Sequence, residues 1–138
     1  MIICDTGTLV ALLNKADDHH AACVRLFSTY PGRLIVPGPI LTEVCYMAES
    51  RLGPETEARF LDSLAVGEFE LEPVTGEDLR RMAALVRTYA DFPLGAADAS
   101  VVAVAERLNA SRVATLDQRH FRAVRPVHCP SFELLPSV

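Results

Sequence analysis

Long apolar runs and leader-like segments are missing from this chain of 138 residues. No apolar run reaches the roughly 18–20 residues that a helix needs to cross a bilayer. No charged segment precedes an apolar stretch at the amino terminus, as it would in a secretory leader. We therefore expect a cytoplasmic protein without a membrane partner. Hydrophobic residues make up 50% of the chain, which is enough for a buried core in one domain spanning residues 1–138.

Cysteine motifs of the metal-binding or redox kind are also missing. The chain has four cysteines, but none forms a CxxC pair and none has a partner at zinc-finger spacing. Cys4, Cys23 and Cys45 lie within apolar patterns. This favours buried thiols in a reducing compartment, with a disulfide or a zinc site as the alternative.

Lysine is nearly missing, because Lys15 is the only one and the other cationic residues are arginines. The formal net charge is -5 at pH 7. A negative overall charge argues against a protein that coats nucleic acid through its global field. It leaves room for a local basic rim beside an acidic pocket.

Three kinds of phosphate chemistry are excluded by residues that the chain does not have. A dehalogenase-type phosphatase needs Asp-x-Asp, whereas Gly7 stands two residues after Asp5. A response-regulator receiver needs a lysine late in the chain, and the only lysine is Lys15. No glycine-rich phosphate loop of the Walker or Rossmann type is present.

Short apolar runs alternate with helical patterns along the whole chain. The runs predict strands, and apolar residues at three- and four-residue spacing predict helices between them. The predicted strands cover residues 1–4, 33–36, 69–72, 112–116 and 132–135, and two of the predicted helices cover 40–52 and 94–108. The order β-α-α-β-α-α-β-α-α-β-β is typical of an α/β fold with a mainly parallel central sheet of four to five short strands flanked by helices.

Four acidic residues stand at the junctions of these elements. Asp5 and Asp117 end the first and fourth strands, whereas Glu43 and Asp98 lie in the first turns of the two helices just named. Ligands of open α/β sheets bind beyond the carboxyl ends of the strands, so we expect these carboxylates to meet on one rim. Crowded carboxylates need a cation to stay ionised, and oxygen ligands suit Mg²⁺ or Mn²⁺. For each acid taken alone, a helix start or a solvated loop is the alternative.

The neighbours of these acids fall into two sets. Thr6, Ser100 and Thr115 each stand one or two residues from an acid. We expect their hydroxyls to orient carboxylates or water, although Thr6 alone is also explained as a helix cap. The second set is basic and predicts a rim that grips phosphates, with a solvated loop as the alternative. It consists of Arg112, Arg119, His120, Arg122 and Arg125.

The acids stand in four segments of fixed order, followed by a last strand. The segments are Ile2-Ile3-Cys4-Asp5-Thr6, Leu41-Thr42-Glu43-Val44, Leu94-Gly95-Ala96-Ala97-Asp98-Ala99-Ser100, Ala114-Thr115-Leu116-Asp117-Gln118-Arg119-His120-Phe121 and Phe132-Glu133-Leu134-Leu135-Pro136. As an ordered set they resemble the PIN-domain ribonucleases, and most closely the VapC toxins of bacterial type II toxin–antitoxin modules. The resemblance covers nearly the whole chain.

The resemblance implies a single PIN domain over residues 1–138 and a Mg²⁺-dependent endoribonuclease, with Mn²⁺ as a possible substitute. Such proteins cut RNA, usually dimerise and are held inactive by a cognate antitoxin. Asp5 and Asp98 match the metal-binding acids of the family, Glu43 its middle acid and Asp117 its last and more variable one. Chemistry of this kind hydrolyses a phosphodiester with metal-activated water. In the same picture Arg112, Arg119 and Arg122 bind RNA.

Two expectations concern what the chain binds. A non-catalytic PIN-like domain that binds RNA or protein is the alternative to the nuclease, and the intact acids count against it. We also expect a homodimer built on the helices of residues 39–67, whose apolar residues exceed what one helix pair needs to cover a sheet. These residues are Cys45, Met47, Leu52, Phe60, Leu61 and Leu64.

Overall fold

The centre of the protein is a parallel sheet, as seen in a computed structural model that describes residues 1–137. Its strands are β1 (Ile2–Cys4), β2 (Leu34–Pro37), β3 (Glu70–Glu72), β4 (Arg112–Ala114) and β5 (Glu133–Leu135). The 5-stranded sheet has the order β3-β2-β1-β4-β5, and every neighbouring pair is parallel. The predicted α/β fold is confirmed, and the sheet is parallel throughout.

Helices connect the strands and cover the sheet. They are α1 (Thr6–Leu13), α2 (His20–Thr29), α3 (Gly38–Leu52), α4 (Pro54–Ala65), α5 (Gly76–Thr88), α6 (Ala96–Leu108) and α7 (Gln118–Ala123). A capping box of Thr75 and Asp78 opens α5, and Asn109 in the left-handed conformation ends α6. Among residues 1–137, no helix combines the length and the hydrophobicity that crossing a membrane requires.

Strand β1 lies at the centre of the sheet, and its three apolar residues suit this buried position. Ile2, Ile3 and Cys4 are fully buried, as expected for a strand of a parallel sheet with helices on its faces. Ile2 pairs with Leu34 on one side and with Arg112 on the other. Because β1 is flanked by β2 and β4, the loops that follow these three strands open on one edge.

Helix α6 is more deeply buried than a single apolar face would require. Every residue from Ala99 to Ala105 is buried, and the helix packs against α3 and α5 as well as against the sheet. Small side chains make this possible, since alanine and serine let neighbouring elements approach from several sides. Asp98 directly precedes this buried stretch and is itself half-buried, so the packing of α6 fixes where its carboxylate stands.

Several observed element boundaries differ from the predicted ones by one to two residues, and two of these differences bear on the site. Helix α3 begins at Gly38, directly after its N-cap Pro37, so Glu43 lies in the second turn and not in the first. Proline is favourable at a helix start because backbone N–H groups of the first turn have no acceptor within the helix, so the N–H that proline lacks is not needed there. Strand β4 ends at Ala114 because the hydroxyl of Thr115 accepts from the backbone N–H of Asp117 and turns the chain.

Candidate active site

A cavity of about 520 Å³ opens where β1, β2 and β4 end. Its lining comes from the β1–α1 junction, α3, α6 and the β4–α7 junction. The lining residues are Asp5, Thr6, Gly7, Glu43, Met47, Asp98, Leu116 and Asp117. The structure thus places all four acids singled out in the sequence around one cavity.

Asp5 is the most tightly held of these acids. Its side chain is buried and its backbone N–H donates to the carbonyl oxygen of Ala114 at 2.8 Å, so the end of β1 is tied to β4. The hydroxyl of Thr115 donates to Asp5 Oδ2 at 2.9 Å, and the hydroxyl of Thr8 donates to the Asp5 carbonyl oxygen at 3.0 Å. Backbone and carboxylate are therefore both fixed before any ligand arrives.

The carboxylates act on each other through their charges. Burial raises the pKa of Asp5 to about 6, and the charges of Asp98 and Glu43 add to that effect against hydrogen bonds from Thr6 and Thr115. Burial also raises the pKa of Asp98, where His120 opposes the shift and Asp117 and Glu43 increase it. The four carboxylates therefore lie close enough to affect each other's ionisation, and a bound cation would offset the repulsion between them.

Asp117 stands at the open side of the cavity. Its side chain is 52% exposed, and its Oδ2 contacts Nδ1 of His120 one helical turn further on. Its backbone N–H donates to the Thr115 hydroxyl at 3.1 Å. Thr115 therefore links the Asp5 carboxylate to the backbone of Asp117, and its bond to Asp5 fits the orienting role expected for its hydroxyl.

Thr6 contributes the one buried side-chain oxygen that has no hydrogen-bond partner among residues 1–137. The residue lines the acidic cavity and its side chain does not cap α1. A buried hydroxyl without a partner is costly, so an unpaired one beside four carboxylates fits a site that receives a polar ligand.

The donor set is compatible with a hard divalent cation. All four acids and Thr6 offer oxygen atoms, which Mg²⁺ prefers. In residues 1–137, no three His, Cys, Asp or Glu side chains are already gathered around one ion position. An ion held by three of these carboxylates therefore requires the side chains to close around it.

Comparisons with known proteins identify the family. The family model described as PIN domain matches residues 2–126. Ribonuclease VapC26 of Mycobacterium tuberculosis is 33% identical over 135 residues, which cover 98% of this chain and 100% of that protein. The chain belongs to the PIN-domain family. Within it, the chain falls in the VapC group.

Solved structures show the same fold at lower sequence identity. VapC20 of Mycobacterium tuberculosis, described as a sarcin–ricin loop cleaving toxin, superposes with a TM-score of 0.77 at 19% identity. The match covers 82% of this chain and 87% of VapC20. A toxin–antitoxin complex from Klebsiella pneumoniae gives a TM-score of 0.72 at 19% identity, covering 96% of this chain and 100% of that one. At these identities the comparison establishes the PIN fold.

The basic residues do not form one rim in this PIN domain. Arg112 is the first residue of β4, at the opposite edge of the sheet from the acids, and pairs with Glu133 at 2.9 Å. Its predicted place beside the acids is wrong, because a strand carries its two ends to opposite edges. Arg119 is exposed on α7, and Arg122 donates to Gln118 Oε1 at 3.0 Å.

The predicted hydroxyl set is also divided. Ser100 is buried and its hydroxyl donates to the carbonyl oxygen of Ala97 at 2.6 Å, within its own helix. Its hydroxyl hydrogen is therefore not available to orient a carboxylate. Thr6, in contrast, lines the acidic cavity, and the Thr115 hydroxyl contacts the Asp5 carboxylate.

Two residues beside the site make contacts that the sequence did not predict. His120 belongs to the predicted basic rim, yet it contacts Asp117, and the three-residue spacing that places both on one face of a helix is a signal in the sequence. Phe92 lies against His120, with ring centroids 5.0 Å apart. Nothing in the sequence indicated that contact, because it joins the α5–α6 loop to α7.

Proposed function

We propose that this PIN domain is a Mg²⁺-dependent endoribonuclease and the toxin of a type II toxin–antitoxin module. The observation that carries the proposal is the convergence of Asp5, Glu43, Asp98 and Asp117 on one cavity at the carboxyl edge of the sheet. The name of the 33% identical relative, ribonuclease VapC26, supports the same activity. In this proposal the substrate is RNA, and the protein cleaves it in the cytoplasm.

Asp5, Glu43, Asp98 and Asp117 would hold the metal ion, with Mn²⁺ as a substitute for Mg²⁺. When bound, such an ion polarises the phosphodiester and lowers the pKa of water. Asp5 and Asp98 are the less exposed pair and serve as the fixed side of the site. Thr115 keeps Asp5 in place through its hydrogen bond.

Glu43 and Asp117 have a second role in this proposal. Both face solvent more than Asp5 does, and we infer that they orient the attacking water and accept its proton. His120 holds the Asp117 carboxylate in position by contact with Oδ2. Arg119, exposed on the same helix, is placed to bind a flanking phosphate.

An antitoxin is the protein partner in this proposal. One structural neighbour was solved as a toxin–antitoxin complex, and this chain covers 100% of its matched chain. We infer a cognate antitoxin that binds this PIN domain and holds the nuclease inactive. Co-purification of the chain with the product of an adjacent gene, together with loss of RNA cleavage in the complex, tests this partnership.

The test of the nuclease is cleavage of total RNA by the full chain in Mg²⁺, in Mn²⁺ and in EDTA. We expect cleavage by the wild type with either metal, and its loss in EDTA and in Asp5→Asn and Asp98→Asn. Asp62→Asn is the matched control, because Asp62 is an exposed acid on α4 and does not line the cavity. Equal cleavage by all four proteins contradicts the proposal, and RNA binding without any cleavage favours the non-catalytic alternative.

A further inference from the structure

A second cluster borders the acidic cavity and is formed by Phe92, Arg119 and His120. Phe92 lies in the loop between α5 and α6, whereas the other two residues belong to α7. The Phe92 ring and the His120 imidazole are perpendicular, with centroids 5.0 Å apart. The guanidinium carbon of Arg119 lies 5.9 Å from the centroid of the Phe92 ring. His120 also contacts Asp117, which places the cluster directly beside the carboxylates.

Core packing does not account for this cluster. Phe92 is only half-buried, while Phe60, Phe69 and Phe121 are buried in the hydrophobic core. Arg119 is exposed and has no carboxylate or hydrogen-bond partner among residues 1–137. Its guanidinium thus lies over an aromatic ring, next to the histidine that contacts Asp117, and its donors are free.

An aromatic ring and a guanidinium at this place suit one class of ligand. Single-stranded RNA presents unstacked bases, which proteins bind on aromatic side chains and on arginine planes. Every base has a π-face, so such stacking tolerates sequence differences. The free donors of the guanidinium can also reach the phosphate attached to a stacked nucleotide.

We propose that Phe92 and Arg119 form a stacking platform for the base of a nucleotide next to the phosphate that is cut. The proposal rests on the proposed nuclease function and adds how the substrate is held beside the acids. His120 contacts both Asp117 and Phe92, and it is a positioning residue that keeps the Phe92 ring next to the carboxylates. The platform requires a base, whereas the neighbouring metal site requires only a phosphodiester.

The test compares two fluorescent probes for binding to full-length Asp98→Asn protein in Mg²⁺, in which cleavage is expected to be absent. One probe is a short oligoadenylate, and the other is an abasic ribose–phosphate chain of equal length. We expect the parent protein to bind oligoadenylate about fivefold or more tightly than the abasic chain. Phe92→Leu, which keeps apolar bulk against His120, abolishes the preference, and Phe92→Tyr retains it.

Two arginine variants separate stacking from charge. Arg119→Lys keeps the positive charge but loses the planar guanidinium, so we expect weaker preference for oligoadenylate with little change in abasic binding. Arg59→Gln is the matched loss of one charge, because Arg59 is an exposed residue of α4, an element that does not line the cavity. It should leave the preference unchanged.

Equal affinity of the parent for both probes overturns the platform, and so does an unchanged preference in folded Phe92→Leu. If Phe92→Leu does not fold, an unchanged preference in Arg119→Lys is sufficient to overturn it. These results leave the nuclease proposal standing, since that proposal depends on metal-dependent cleavage of RNA by the wild-type chain. If the wild-type chain does not cleave RNA in either metal while the preference for bases is intact, the nuclease proposal falls and the platform remains as an RNA-binding surface.

Discussion

At the scale of single residues, Asp5 shows how the fold prepares a charged site. Its carboxylate is buried at the end of the central strand, yet it receives hydrogen bonds that hold it in one orientation. Nearby Asp98 and Glu43 make its ionisation harder still. Without a cation, the folded state keeps these charges close at a cost in stability, as is common where function and stability compete.

The first prediction concerns the pH dependence of the metal-free protein. The pKa of Asp5 is raised in the folded state from 3.8 to about 6, so the folded protein binds the extra proton between these values. The contribution of Asp5 to the free energy of unfolding therefore falls as pH rises through this window, by on the order of 3 kcal/mol at most. That contribution is fully present below the unfolded pKa of 3.8.

Urea denaturation in EDTA across the window measures this effect. The difference between wild type and Asp5→Asn isolates the contribution of Asp5 from that of other groups. Asp62→Asn should follow the wild-type curve. An Asp5→Asn variant with the same pH slope as the wild type would show that Asp5 is not the group that titrates.

The second prediction concerns Asp98 and the metal. Asp98→Asn removes one negative charge from the crowded cavity and keeps the shape of the side chain, so we expect it to melt higher than the wild type without metal. Mg²⁺ should raise the Tm of the wild type by binding preferentially to the folded state, and should raise that of the variant much less. Thermal unfolding with EDTA and with Mg²⁺ measures both effects. A variant that melts lower, with equal Mg²⁺ shifts in both proteins, means that Asp98 is only a helix-start acid.

At the scale of elements, β4 and α7 separate the basic residues that stand close in the sequence. Arg112 begins the strand at one edge of the sheet and is ion-paired with Glu133. Arg119 and Arg122 follow the strand at the other edge, on α7. Under the proposed function, we therefore expect Arg119 and Arg122, and not Arg112, to contact RNA bound at the acids.

The third prediction uses this separation. Simultaneous Arg119→Gln and Arg122→Gln should weaken RNA binding and reduce the slope of log K against log salt by about one unit for each lost phosphate contact. Arg112→Gln should leave the slope unchanged, although it removes the same kind of charge. Affinity titrations at several salt concentrations measure the slope. A slope that does not change in the double variant identifies α7 as a solvated helix, and metal affinity should be similar in all three proteins.

At the scale of the whole molecule, the α3–α4 pair presents apolar side chains that the monomer does not cover. Tyr46 and Val66 are each 72% exposed and Leu61 is 45% exposed. The sequence predicts Phe60 at the same surface, but this prediction is wrong. Phe60 is buried in the core and packs against Phe69, with ring centroids 6.4 Å apart. The surface for the predicted homodimer is thus smaller than the sequence indicated.

The fourth prediction is this homodimer, with α3 and α4 at its interface. We expect a dimer by light scattering at micromolar concentration, and a shift toward monomer when Tyr46→Ser and Leu61→Ser are combined, because both changes remove apolar area from the contact. Val127→Ser is the control, since Val127 is 75% exposed and lies outside both helices. A wild-type protein that is monomeric at this concentration refutes the prediction.

Much of the fold and of the acidic cavity followed from the sequence by itself, because short local patterns specify the strands and helices that carry the acids. Ile2, Ile3 and Cys4 form a continuous apolar run that specifies a buried strand, and helical spacing in α6 specifies the element that carries Asp98. In a parallel sheet, residues that directly follow a strand share one edge, so the common edge of Asp5 and Asp117 followed from element order, whereas the pairing of β1 with β4 that brings them together is seen only in the structure.

Only the tertiary structure decided which neighbours the site acquires. Phe92 reaches His120 because a loop and a helix from different parts of the chain pack together, and no periodic pattern encodes such a contact. The continuous burial of Ala99 to Ala105 in α6 depends on α3 and α5 packing against the helix in addition to the sheet. Glu43 stands in the second turn because α3 begins at Gly38, directly after Pro37. Patterns along the chain therefore determine elements and edges, whereas side-chain contacts between distant segments require the folded chain.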